Sequence, residues 1–283
     1  MKKTIILTAL ITCVLLVNAQ KQANYWYFGS NAGLSFAMGP PAPLTNGALN
    51  TGEGCSSIST AAGTLEFYTD GRYVYNRNHG QMPNGSDLLG HSSSTQSAII
   101  VPKPGTTTQY YIFTVDAADN GLANGLCYTL VDMTLNDGLG DVVTTEKNIS
   151  LVPLACEKVT AVGHSDGQTF WVITKKWGNA DFYAYRITYD GVNTTPVIST
   201  TGPLLIGNIG QASKGYLKVS PDGTLIASAN NTAFNVGIYN FDNSTGVITH
   251  LVTDENYTNP GGFDPGGPYG VEFSPNSKRL YIG

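Results

Sequence analysis

The run Tyr216-Leu217-Lys218-Val219-Ser220-Pro221-Asp222-Gly223 returns 54 residues later as Gly270-Val271-Glu272-Phe273-Ser274-Pro275-Asn276-Ser277. In both copies a short apolar run feeds a Ser-Pro-Asp/Asn turn. Self-similarity at a fixed spacing of this size marks a repeat architecture. Past the first copy, the chain continues through Leu225 to Ala229 and Val236 to Phe241. It then turns at Asp242-Asn243-Ser244-Thr245-Gly246 into Val247 to Leu251. Strand, tight turn, strand, gap, aromatic strand and turn together make one unit.

The unit before it reads Thr160 to Gly163, a turn at Asp166-Gly167, Phe170 to Thr174, Phe182 to Ile187 and a turn at Asp190-Gly191. Earlier come Ala98 to Val101, a turn at Pro104-Gly105, Tyr110 to Val115, Leu126 to Val131 and a turn near Gly138. The first and most divergent unit has Ser56 to Ser59, a turn at Gly63, Leu65 to Thr69 and Tyr73 to Asn76. Asp-Gly and Pro-Gly pairs between β-rich runs are hairpin signals. No long amphipathic helical pattern interrupts them.

Four strands per unit at a period near 55 predict an all-β chain folded as a β-propeller, WD40- or YVTN-like. The strands support this. Phe170-Trp171-Val172-Ile173 and Tyr110-Tyr111-Ile112-Phe113 are apolar at every position. A sheet with one wet face would alternate, whereas a blade is covered on both faces by its neighbours. A β-sandwich is the competing architecture, and it requires no 55-residue period.

Two features extend the prediction. Trp26-Tyr27-Phe28-Gly29-Ser30-Asn31-Ala32-Gly33-Leu34 aligns with Tyr239-Asn240-Phe241-Asp242-Asn243-Ser244-Thr245-Gly246-Val247, the outer half of a blade. The sequence also stops at Gly283, inside the next expected strand. The expectation is therefore an incomplete ring, of about seven blades when whole. Residues 24–46 would be closing strands, about 54–97, 98–153, 155–210 and 211–265 blades, and 266–283 the start of another. Closure by the opening strands would leave no sheet edge unpaired.

Lys2 and Lys3 precede an apolar stretch from Thr4 to Val17 and a small-residue site at Val17-Asn18-Ala19. This is the layout of a signal peptide over residues 1–19, with cleavage expected after Ala19. The stretch falls short of the roughly 20 apolar residues of a spanning helix, so no membrane span is expected after cleavage. Cys13 lies too early to anchor a lipid at the mature end. Without Lys2 and Lys3, 13 basic residues face 20 acidic ones, a net charge of −7. That balance lacks the basic footprint of a nucleic-acid binder. Cys55, Cys127 and Cys156 remain, allowing at most one disulfide, and their spacing matches no zinc pattern.

Motifs that could carry chemistry are few. Gly163-His164-Ser165-Asp166-Gly167 fits the nucleophile-elbow pattern, but that chemistry needs a helix after the turn. Here Gln168 to Ile173 reads as a strand, so the motif is expected to be a hairpin turn. His79, His91, His164 and His250 show no ligand spacing. Asp116, Asp119 and Asn120, and Asp137 with Asp141, lack the spacing of a calcium loop. Asp254-Glu255 and Pro260 to Pro268 read as a connection between blades. Trp177 and Tyr257 are the aromatics placed where a sugar platform would need them. No catalytic, cofactor-binding or metal residue is assigned.

Several stretches together resemble a known group. They are Asn24-Tyr25-Trp26-Tyr27-Phe28-Gly29, Leu44-Thr45-Asn46-Gly47-Ala48, Glu53-Gly54-Cys55 and Phe67-Tyr68-Thr69-Asp70-Gly71. To these add Met82-Pro83-Asn84-Gly85, Ser93-Ser94-Thr95-Gln96-Ser97, Val101-Pro102-Lys103-Pro104-Gly105, Val131-Asp132-Met133 and Tyr269 to Asn276. In this order they are similar to the N-terminal propeller-like region of secreted Bacteroidota proteins that end in a type B sorting domain of the type IX secretion system, the gliding-motility-associated C-terminal domain. The resemblance implies a secreted or surface-displayed multidomain protein whose partner is the type IX machinery, engaged through a sorting domain that this sequence lacks. It carries over no active-site residue. The expected function is a non-enzymatic recognition or adhesion scaffold with an extracellular protein or glycan ligand. The alternative is a propeller-fold hydrolase or lactonase-like enzyme, with acidic or metal-binding residues at the ring's centre.

Overall fold

The computed structural model describes residues 21–207, 209, 213–257 and 266–283. The expected leader with Cys13, and residues 260–265 of the Pro260 to Pro268 connection, lie outside these residues. Among the described residues no helix is long and apolar enough to cross a membrane.

The chain forms a succession of small sheets in sequence order. The opening sheet holds β1 (Tyr25–Phe28), β2 (Ala32–Ser35) and β3 (Ala42–Leu44). The first blade follows with β4 (Ser56–Ser59), β5 (Leu65–Thr69) and β6 (Val74–Asn76). The second has β7 (Ala98–Pro102), β8 (Gln109–Val115) and β9 (Leu126–Asp132), with β10 (Asp141–Val142) and β11 (Ile149–Val152) both paired to β9. The third has β12 (Ala155–Gly163), β13 (Phe170–Lys176) and β14 (Asp181–Thr188), with β15 (Gly191–Val192) and β16 (Val197–Thr200) both on β14. The fourth is the regular meander β17 (Leu217–Val219), β18 (Leu225–Asn230), β19 (Asn235–Asp242) and β20 (Val247–Asp254). The hairpin β21 (Val271–Phe273) and β22 (Leu280–Ile282) begins a fifth.

The architecture is a β-propeller, and its cores show why the sequence lacks alternation. In β8, Tyr110 and Ile112 pack against Phe67 and Val74 of the first blade. Their neighbours Tyr111, Phe113 and Val115 pack against Val159, Val172 and Tyr185 of the third. In β13, Val172 faces the second blade, while Trp171 and Ile173 meet Ile226, Tyr239 and Phe241 of the fourth. Ala227 and Ala229 of β18 then pack against Val271 and Phe273. Successive side chains of a strand point to opposite faces, and here each face meets another blade. The innermost strands β4, β7, β12, β17 and β21 run side by side in that order.

The first hairpin of each blade turns on the residue types the sequence marks. Gly167 and Gly223 both have φ +72, a conformation that costs glycine no Cβ clash. Where the fifth blade repeats the turn, Ser277 takes φ +58.

The outer strands depart most from the expected pattern. β10 and β11 are halves of one outer strand, parted by a 3-10 turn at Thr144–Glu146. β15 and β16 are likewise parted by Asn193 to Pro196, and Pro196 has no N–H to offer a ladder. In the first blade the isolated bridge Tyr75–Gln81 stands where a fourth strand would run. The Met82-Pro83-Asn84-Gly85 segment that follows is turn-forming rather than β-forming.

Candidate functional site

The heads of the innermost strands converge on the ring axis, tied by backbone hydrogen bonds from blade to blade. Gly54 N–H donates to Ser94 O (3.0 Å), Gln96 N–H to Glu157 O (3.2 Å), Glu157 N–H to Ser213 O (3.2 Å) and Tyr216 N–H to Tyr269 O (2.8 Å). Each bond joins one blade to the next. Side chains reinforce the ring. The buried Glu157 carboxylate accepts Thr95 N–H (2.9 Å), the Thr95 hydroxyl (3.0 Å) and Ala118 N–H (2.7 Å). Burial pushes its carboxyl above the usual range, against the pull of those donors. Gln96 reaches across to Leu217, and Tyr269 Oη donates to Glu53 Oε2 while lying 3.0 Å from Thr95 Oγ1.

Beside this ring lies a cavity of about 270 Å³ lined by residues from four blades. Glu53, Cys55 and Ser56 come from the first, Thr95, Gln96, Ala98 and Ile99 from the second, Val159 from the third, and Tyr216 and Lys218 from the fourth. Lys218 Nζ pairs with Glu272 Oε2 at 2.9 Å and lies 6.0 Å from the Tyr216 ring centre. Burial raises the Tyr216 phenol pKa, with Cys55, Glu53 and Glu272 adding to the effect. Burial, with Asp70 nearby, lifts the Cys55 thiol to about 11, so this half-buried cysteine is no ready nucleophile.

Sequence reasoning did not mark Glu53, Thr95, Gln96, Glu157, Tyr216 or Lys218 as site residues. The available signal was position. Glu53, Thr95, Gln96 and Tyr216 sit within a few residues ahead of an innermost strand, where a ring brings residues from every repeat together.

The residues that sequence did single out are dispersed. Gly163 to Gly167 forms the β12–β13 hairpin turn, closed by His164 N–H to Thr169 O. His164 Nδ1 accepts Asp166 N–H (2.9 Å), and its Nε2 faces Ser244 O (3.3 Å). Ser165 is exposed and a strand follows it. His79 sits between Tyr68 Oη (3.0 Å) and Asn46 Nδ2 (2.8 Å), its pKa lowered by burial. His91 Nδ1 accepts Ser93 N–H, and His250 Nε2 is 2.8 Å from Thr253 Oγ1. Asp116 holds its own loop through Ala117 N–H, Asn120 and Asn124 N–H, while Asp119 is exposed. Asp141 binds the Asn84 N–H and side chain, tying the first blade to the second, and Asp137 is exposed. Trp177 packs on Cys156 and Leu205, and Tyr257 packs against the core between the fourth and fifth blades. Cys55, Cys127 and Cys156 are free thiols. Among the described residues no three His, Cys, Asp or Glu side chains group closely enough to hold a metal ion.

No family model and no curated protein matches this chain. Solved structures do. A candidate 6-phosphogluconolactonase from Bacteroides uniformis is similar at 14% identity and TM-score 0.46, over 89% of this chain and 71% of that one. A second, from Bacteroides fragilis, is similar at 13% identity and TM-score 0.43, over 92% and 85%. Kluyveromyces lactis Hsv2 is similar at 8% identity and TM-score 0.47, over 93% and 68%.

Proposed function

We propose that this chain is an exported, non-enzymatic recognition module, the propeller part of a secreted or surface-displayed protein, whose ligand meets the axial face where the inner strands begin. One observation carries the reading. Three polar side chains beside the axis are taken up in holding blades together: Glu157 by three donors, Gln96 by both backbone groups of Leu217, Thr95 by Glu157. A general acid or base must stay free to exchange a proton with its substrate. The groups left facing the cavity form a wall of mixed polarity, as small-ligand sites do. Export is supported by the charged, apolar and small-residue order of residues 2–19. Display through the type IX route is supported by the sequence resemblance.

The test has two arms. The purified full chain is applied to intact cells and extracellular polymer, and separately to esters, lactones and glycosides with and without divalent metal. Saturable binding without turnover is the expected result. Turnover that disappears in Glu53→Gln would overturn the reading in favour of the hydrolase or lactonase-like alternative. Retention of the chain in the cytoplasm of its own host would overturn the export part.

A further inference from the structure

The axial cavity has a chemistry that narrows its occupant. At about 270 Å³ it lies just under the roughly 300–1,000 Å³ of pockets that take drug-sized ligands, so the occupant is compact. Its apolar lining comes from Ala98, Ile99 and Val159. Tyr216 and Lys218 stand two residues apart, hence on one face of their strand, and the Lys218 ammonium sits near the Tyr216 ring. Glu53 comes from a different blade, with one carboxylate oxygen taken by Tyr269.

Charge removes the simple ions. An anion entering this cavity meets Glu53, and a cation meets Lys218. A zwitterion fares little better, because its carboxylate competes with Glu272, which already pairs with Lys218 at 2.9 Å. A neutral polyol satisfies both walls. Its hydroxyls donate to the second oxygen of Glu53 and accept from the Lys218 N–H groups not pointing at Glu272. A pyranose adds an apolar C–H face for the Tyr216 ring, whose phenol supplies a polar tip.

We infer that the cavity takes one neutral pyranose unit, as a free monosaccharide or as the end residue of a glycan. The inference rests on the recognition reading above and names its ligand class. Glu53 and Lys218 bind hydroxyls, Tyr216 stacks, and Ala98, Ile99 and Val159 supply the apolar part of the wall.

The full chain is titrated with neutral hexoses and N-acetylhexosamines, and with a uronic acid, a cationic hexosamine and a free amino acid as charged counterparts. A neutral sugar should bind saturably, and its binding should slow alkylation of the half-buried Cys55. Glu53→Gln should weaken binding about tenfold or more, the scale of a lost hydrogen bond to a charged group, and Tyr216→Ala should weaken it about tenfold through loss of the stacking ring. Tyr216→Phe, which keeps the ring, should stay within about threefold of the native chain. Circular dichroism establishes that each variant is folded. Immobilised glycans ending in the same sugar separate the sources: binding to them alone identifies an end residue, and binding to both identifies the sugar itself. No neutral sugar binding, a preference for any charged probe, or affinity untouched in folded Tyr216→Ala and Glu53→Gln would overturn the inference. A chain that adheres to cells yet ignores every sugar sinks this inference and leaves the recognition reading standing. Chemical turnover sinks the reading itself.

Discussion

Gln96 and Leu217 are 121 residues apart, yet the Gln96 carboxamide pairs with both backbone groups of Leu217. Its Oε1 accepts the Leu217 N–H at 2.8 Å, and its Nε2 donates to the Leu217 C=O at 3.2 Å. An innermost strand has no strand beyond it, so the groups on its axial edge need another partner. Gln96 supplies one from two blades away, linking the second blade to the fourth.

Gln96→Leu should therefore destabilise the chain by about 1–3 kcal/mol, because it leaves a buried donor and acceptor unpaired. For a chain of this size that lowers the melting temperature by roughly 2–4 °C per kcal/mol. Gln96→Glu keeps an acceptor for the N–H but sets a carboxylate against the carbonyl, and should also lose stability. Scanning calorimetry reads both. An unchanged midpoint in Gln96→Leu would mean that the bridge contributes nothing.

Lys158 makes stability depend on pH. Its side chain is wholly buried, and its amine donates to the carbonyls of Lys214 and Ala229. A neutral amine has two N–H groups, matching those two acceptors. Burial lowers its pKa from 10.5 to about 7, and burial lowers that of Lys175 to about 8. Between these values and 10.5 the unfolded chain holds protons that the folded chain has released, so stability rises with pH. Burial also raises the thiols of Cys55, Cys127 and Cys156 from 9.0 to about 11, which opposes the rise above pH 9. The window to examine is thus pH 7 to 9. Denaturant midpoints should climb across it in the native chain and climb less in Lys158→Met. Equal slopes in the two proteins would refute the assignment.

How far the sequence anticipated this molecule follows from what each signal measures. The strand cores from Ser56 to Leu251 were legible, because β-branched and aromatic runs between Gly-marked turns declare strands locally. Residues such as Tyr110 and Tyr111 also announced two covered faces, since both are apolar although they point opposite ways. The broken outer strands were not legible: Thr144 to Asn148 and Asn193 to Pro196 read as loops and give no sign that the chain returns to the same partner strand. The axial residues escaped for another reason. Glu53, Thr95, Gln96 and Tyr216 share no residue type, and only the ring geometry makes one site of them. Lys158 and Lys175 lie in strands where a lysine reads as solvent-facing, and nothing local reveals that the fourth blade and the segments leading into it cover them.

Tyr27 holds the opening sheet to the first blade. It is buried and stacks on Tyr68 with ring centres 4.5 Å apart, and Ser57 Oγ donates to Tyr25 O nearby at 2.9 Å. Tyr27→Ala should destabilise by about 3–5 kcal/mol, the range for removing a buried aromatic side chain. The effect should be local, because the remaining blades pack through other clusters. Limited proteolysis should then cut first between residues 25 and 44 in the variant. Cleavage spread evenly over all blades would mean that the opening sheet is integral to the whole core.

Gly54 lies where the first blade closely approaches the second. Its N–H donates to Ser94 O, and a Cβ at this position would lie 2.0 Å from Ser97 N and 2.8 Å from Ser94 O. Both obstructing atoms are backbone, so neither swings aside as the end of a side chain does. Gly54→Ala must push the Glu53–Cys55 segment away from the Thr95–Ser97 segment, widening the cavity those segments line. Overpacking of this kind typically costs about 1–3 kcal/mol. Gly163→Ala is the matched control, since nothing lies within 4 Å of its Cβ position, and it should change stability by no more than about 0.5 kcal/mol. Thermal unfolding of the pair separates close approach from a general effect of alanine. Equal midpoints would show that the first and second blades part at Gly54 without loss, and that the backbone ring around the axis is not what holds them together.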